Sequence, residues 1–397
     1  MSPIPKTTGS TSITTTGSAV KRRKLTGKDY HQPLLPGLPD HIAQLCLSPL
    51  PPSLLYSVCR SWRRLIYSPS FPPFLSLYAL FLSDQTTQNS NSINFFSFDP
   101  ISSKWHSLPP PPPDPPLHLL LRHPSFISRN LPIQSVAVSG HLILLAATAD
   151  HFLPALPRPL IFNPISNKWV FGPPLAAPRR WCAAGSYSGE IYVASGIGSH
   201  YTQEVARSVE KMVVPKNQNY CYQRNSFGAE LKWEKLGALR DGKLSRDAIE
   251  AVGWRGRLCM VNVRGYATKE GVVYDVGKDE WEEMPAGMVA GWRGPAATMD
   301  EETIFVVDES KGVLRRYEPE KDVWMEMFES EKLRGAKQMA AGGGRVCVTC
   351  GGGSGIVVVD VVASPPRLWV VDTPPGFETL AVHVLPRINQ PDFQTLM

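Results

Sequence analysis

Two cysteines three residues apart, in Cys347-Val348-Thr349-Cys350, are the pair whose spacing could bind a metal or cycle as a dithiol. The stretch reads as a β-strand, where positions three apart point to opposite faces, so the two thiols are not expected to converge. A zinc module or an activated nucleophilic cysteine needs partners at set spacings, and neither pattern is present. The nine histidines form no HExxH pair. The glycine cluster Gly351–Gly355 lacks both the lysine and the following helix that would cradle a phosphate. A β-ring oxidase would need a constellation of metal ligands that these residues do not supply. The expectation is no catalytic residue, no cofactor and no metal, which leaves binding as the function to look for.

Basic and aromatic residues are the ones that could bind. Arg179, Arg180 and Trp181, then Arg240, Lys243 and Arg246, then Trp292 and Arg293, then Arg334 and Lys337 fall in successive connections between β-rich segments. Arginine and tryptophan are enriched in binding hot spots. If the segments form a ring, these connections share one rim, and the rim is expected to capture an acidic patch on a target protein.

The elements that must position those residues follow from composition and pattern. The 397 residues are 43% hydrophobic and 19% charged, a globular composition. No apolar run approaches the roughly 18–20 residues of a membrane helix, so no membrane partner is expected. The Ser/Thr-rich start, Met1 to Val20, does not read as a secretory signal, and seven cysteines without framework spacing suit a reducing compartment. Cytoplasm and/or nucleus is the expected location. Net charge is +6, of which +5 lies in the first hundred residues. The nearly neutral remainder argues against a nucleic-acid partner.

Residues 1–33 read as a disordered basic arm, and Lys21–Lys24 as either a nuclear address or an ordinary solvated run. From 34 to 72, Ile42, Leu45 and Cys46, then Leu54, Val58, Trp62, Leu65 and Ile66, recur at helical spacing. Pro39-Asp40 reads as a helix start, and Pro49, Pro51 and Pro52 as breaks. Three helices this short cannot bury their own apolar residues, and an apolar patch is expected to remain for a partner.

The texture from 73 to 390 is β-type, with 391–397 left as a tail. Tryptophans recur at 105, 169, 233, 281, 324 and 369. Four of them have an aromatic residue seven positions earlier: Phe98, Phe162, Tyr274 and Tyr317. That spacing describes a hairpin with both rings packed between neighbouring sheets. Small residues in Cys182–Gly185, Ala296-Ala297 and Ala340–Gly342 mark innermost strands near a crowded axis. The pattern predicts a mainly β fold, a six-bladed β-propeller behind a small three-helix unit, with Thr379–Val384 supplying the missing inner strand of blade one. The third blade departs from it, since Trp233 lacks the earlier aromatic and residues 199–225 read as inserted.

The blades resemble kelch repeats, with Gly196, Gly198 and Gly351–Gly353 as approximate matches to their glycines. Leu38-Pro39-Asp40-His41-Ile42 and Val58-Cys59-Arg60-Ser61-Trp62-Arg63-Arg64-Leu65 resemble the opening and ending of an F-box. Together they make the chain similar to plant F-box/kelch-repeat proteins. The resemblance implies a non-catalytic substrate receptor of a Skp–cullin–F-box ubiquitin ligase. It also implies that Leu38, Pro39, Ile42, Leu54, Val58, Cys59 and Trp62 meet the Skp adaptor, and through it a cullin, while the propeller holds an unidentified target protein. The alternative is a kelch scaffold with no part in ubiquitination.

Overall fold

Apolar side chains at steps of three and four wind residues 40–66 into three short helices: α1 (Asp40–Leu47), α2 (Pro52–Val58) and α3 (Arg60–Ile66). The computed structural model describes residues 33–387 apart from 51, 69–70, 72–73, 84–92, 113–133, 147–155, 216–230, 243, 245–248, 263–269 and 352–354. The expected N-terminal arm and C-terminal tail lie outside the described residues. Pro39 is the N-cap of α1, and Asp40 places a carboxylate in its first turn, where the exposed amides favour it. Leu47, Leu55, Leu65 and Ile66 form a small core that is completed by Phe71 and by Ile101, a residue of the β domain.

The rest is a ring of six four-stranded antiparallel sheets. Five of them are continuous, spanning 134–171, 183–235, 249–283, 296–329 and 336–371. Blade one is assembled from both ends of the ring. Leu75–Ser83, Ile93–Asp99 and Lys104–Ser107 pair in order, and the C-terminal strand Phe377–Pro386 pairs with Leu75–Ser83 as its innermost member. The anticipated closure is therefore present, and it covers an edge that would otherwise template aggregation.

A twisted sheet with apolar residues on both faces needs a neighbour on each side. Six clusters of buried side chains meet that need, one at each junction between adjacent blades. At the junction of blades three and four, Gly253 approaches the Ser186 carbonyl so closely that a methyl group would collide with it. Blade three differs from the sequence reading, because its third strand, Val209–Val213, lies inside the presumed insertion. A helical turn at Gln203–Arg207 precedes that strand and disguised it.

All six tryptophans fall in outermost strands, and the four aromatic partners sit directly opposite them in the strand register. Their indole N–H groups show why the period exists. Trp105 donates to the Asp372 carbonyl at 2.7 Å, Trp169 to Pro109 at 2.8 Å, Trp233 to Pro173 at 3.0 Å, Trp281 to Gly237 at 2.8 Å and Trp324 to Met288 at 3.0 Å. Each acceptor lies in the connection leaving the preceding blade, so one side chain both packs against the neighbouring blade and bonds to it.

The inner strands surround an axial cavity of about 380 Å³, lined by residues such as Ala137, Ala184, Gly185, Ala251 and Ala297. Two amides clasp adjacent inner strands: Gln134 accepts from the Cys182 N–H at 3.3 Å, and Gln338 accepts from the Val382 N–H at 2.6 Å. His383 on the closing strand is buried with Nε2 2.8 Å from the Ser135 hydroxyl of blade two. Burial lowers its pKa from 6.5 to about 4, so the ring is neutral at physiological pH.

Two outcomes are expected. Trp281→Phe, which keeps a ring and loses the N–H, should cost about 1 kcal/mol in denaturant unfolding, and Trp281→Ala about 3–5 kcal/mol. For His383 the unfolded state binds the proton more readily, so its contribution is constant above pH 6.5 and falls as pH drops from 6.5 toward 4. The loss should reach about 3 kcal/mol and be absent from His383→Gln when the two unfolding curves are compared across that range.

Candidate interaction sites

The helices leave much of their apolar surface uncovered. Leu45 is 67% exposed, Val58 53% and Leu54 52%, with Leu38, Ile42 and Leu50 also exposed. Ile42 and Leu45 stand three apart on α1 and Leu54 and Val58 four apart on α2, so each pair shares one side of its helix. Pro39 lies on the surface beside Leu38. Cys59 and Trp62 are half-buried. Trp62 turns inward, donating its indole N–H to the Leu34 carbonyl at 2.7 Å and packing against the helical core. Leu45 and Leu50 were not among the expected contact residues, although the spacing of Leu45 from Ile42 was a usable signal.

The helices are joined to blade one at the turn between its third and fourth strands. Tyr67, which follows α3, donates its hydroxyl to Asp99 at 2.7 Å, and Ile101 packs into the helical core. Adjacent strands run in opposite directions, so the connections from one blade to the next emerge at the other end of the ring. The apolar helical surface and the predicted capture rim therefore occupy opposite faces.

That rim is corrected in three places. Arg179 is fully buried. Its guanidinium pairs with Glu210 and Ser208, reaches the Ser195 carbonyl at 3.4 Å, and through Nε donates to the Ala177 carbonyl at 3.0 Å. Glu210 in turn accepts from the Ala176 N–H at 3.0 Å. A cation in a connection was expected to face water, and a carboxylate 31 residues later on the third strand draws it inside. Trp181 and Trp292 are buried as well, Trp292 edge-on to Trp324 at 6.0 Å between ring centres. Both support the blades and neither presents a ring to a partner.

Arg180 is half-buried over the Trp181 ring at 4.5 Å, while Arg293 and Arg334 are exposed, Arg334 in an ion pair with Glu331 at 3.0 Å. Arg246 lies outside the described residues.

The cysteine pair behaves as strand geometry requires. Cys347 enters the cluster between blades six and one, whereas Cys350 packs against the cluster between blades five and six. Burial pushes the Cys347 thiol up to about 12 and the Cys350 thiol up to about 11, so both stay protonated at neutral pH. Among the described residues, no three or more His, Cys, Asp or Glu side chains are grouped to hold a metal ion, and no helix is long and apolar enough to cross a membrane.

No protein-family model matches the chain. Among known proteins it is 50% identical over 392 residues to the F-box/kelch-repeat protein SKIP25 of Arabidopsis thaliana, covering 97% of each. The F-box protein AFR of Arabidopsis thaliana is 25% identical over 320 residues, 77% of each chain. The Arabidopsis thaliana F-box/kelch-repeat protein At1g22040 is 23% identical over 360 residues, 77% of this chain and 74% of that one. Half of the residues are thus shared along nearly the whole length, through both the helices and all six blades, and the chain belongs to the plant F-box/kelch-repeat family.

Proposed function

We propose that this protein is the non-catalytic substrate receptor of a Skp–cullin–F-box ubiquitin ligase. The apolar side of α1 and α2 docks on the Skp adaptor, which links it to a cullin, and the ring captures the protein to be ubiquitinated. The observation that carries this reading is the exposure of Leu38, Ile42, Leu45, Leu54 and Val58 after the helices have packed on the ring. Patches of that kind on an otherwise packed unit mark interaction surfaces. The opposite placement of the two faces supports it, because adaptor and target then occupy the receptor together without competing. The protein acts by proximity, raising the target's local concentration beside the transfer machinery. Its free thiols suit work in cytoplasm or nucleus.

On the capture face, Arg180 and Arg293 are the cations we assign to an acidic patch of the target. Arg334 contributes less, since Glu331 already offsets its charge.

Replacing Leu54 and Val58 together with aspartate in the full chain should abolish co-precipitation with the Skp adaptor and leave the melting temperature of the ring unchanged. Retained adaptor binding would remove the receptor reading. Arg293→Glu should weaken capture of a target recovered from proteasome-blocked cells about tenfold while adaptor binding stays as in the parent chain. Equal target recovery by both chains would exclude the arginine from capture.

A further inference from the structure

Arg387 directly follows the closing strand and sits where helices and ring meet. Its backbone N–H donates to the Phe74 carbonyl at 2.9 Å. Its guanidinium carbon lies 4.7 Å from the centre of the Phe74 ring and 5.2 Å from that of Tyr67. The residue is 5% exposed, and none of its three guanidinium nitrogens meets a hydrogen-bond acceptor. Burial lowers its pKa, and the nearby Tyr67, Asp99 and Tyr78 oppose that shift.

A buried guanidinium without acceptors is costly unless something else answers its charge. Two aromatic faces do so here, and cation–π attraction is strongest where water is excluded. The rings belong to different parts of the molecule. Tyr67 caps α3 and meets Tyr56 of α2 edge-on at 6.4 Å, whereas Phe74 directly precedes the first strand of blade one. Tyr67 is also tied by its hydroxyl to Asp99, which the Ile101 N–H at 3.0 Å and the Ser102 hydroxyl at 2.6 Å hold in the turn of blade one. The closing strand is anchored just before Arg387, where the Pro386 carbonyl accepts from the Tyr78 hydroxyl at 2.7 Å.

A single covalent tether, residues 67–74, would leave the helices free to swivel on the ring. We infer that Arg387 and Tyr67 are positioning residues that lock the helical unit in one orientation, so that the exposed face of α1 and α2 and the rim of inter-blade connections keep a fixed separation. The same strand that closes the ring thus fastens the helices to it. This inference concerns the junction alone and does not depend on what the helices dock with.

The test uses the full chain in a Cys46→Ser, Cys59→Ser, Cys221→Ser, Cys350→Ser background with spin labels at Ser57→Cys on α2 and Lys321→Cys on blade five, read by double electron–electron resonance. The parent should give one narrow distance distribution. Arg387→Met, which keeps bulk and loses charge, should at least double its width, and Arg387→Lys should restore most of the narrowness, with the melting temperature of the ring within a few degrees throughout. An unchanged width in Arg387→Met, or equal broadening in Arg387→Met and Arg387→Lys, overturns the inference. Should Arg387→Met fail to fold, Tyr67→Phe carries the same test, because loss of the bond to Asp99 must broaden the distribution; an unchanged width there overturns the inference as well.

Discussion

The indole N–H that each outer tryptophan of blades one to five sends to the connection leaving the preceding blade is the interaction on which the ring depends. A carbonyl in a connection has no strand partner, and where the seam shields it from water leaving it unpaired would cost about 1–3 kcal/mol. The tryptophan satisfies it and covers the apolar seam beside it at once. Repeated around the axis, the contact sets the spacing between blades. Trp105 reaches back to Asp372, so the seam that closes the ring is held in this way too. Blade six is the variant: its Trp369 is 40% exposed and lies beneath the guanidinium of Arg345.

A ring held this way gives the molecule two ends with separate duties. The turns joining the two inner and the two outer strands of each blade face one end, where blade one carries the helices; the turns between the two middle strands and the connections between blades face the other. Neither surface requires the other to move. The helices lend apolar area and the ring lends a mount for it, the arrangement on which the proposed receptor role rests.

The architecture was legible because it is written locally. Each hairpin places an aromatic residue and a tryptophan seven positions apart, opposite each other in register, and one short pattern repeated four times discloses the ring. The apolar face of the helices was legible for the same reason, although Leu45 was read as a helical apolar residue without being counted as a contact, and Trp62 proved to serve the interior as much as the surface. What could not be read depends on partners distant in sequence. Arg179 looks like any loop cation until Glu210 folds beneath it, and Trp181 and Trp292 look like binding aromatics until neighbouring blades cover them. The third strand of blade three was masked by the helical turn at Gln203–Arg207. Arg387 gave no sign at all, since its significance comes from three segments meeting in space.

The split construction of blade one bears on how the protein is made. Leu75–Ser83 is among the first ring segments to leave the ribosome, and its innermost companion, Phe377–Pro386, is among the last. At ordinary rates of translation the interval is on the order of 15–60 s. During that time nascent molecules carry a bare, oily strand border of the sort molecular chaperones recognise, and a message broken before the codons for Phe377–Pro386 yields a product that never sheds it.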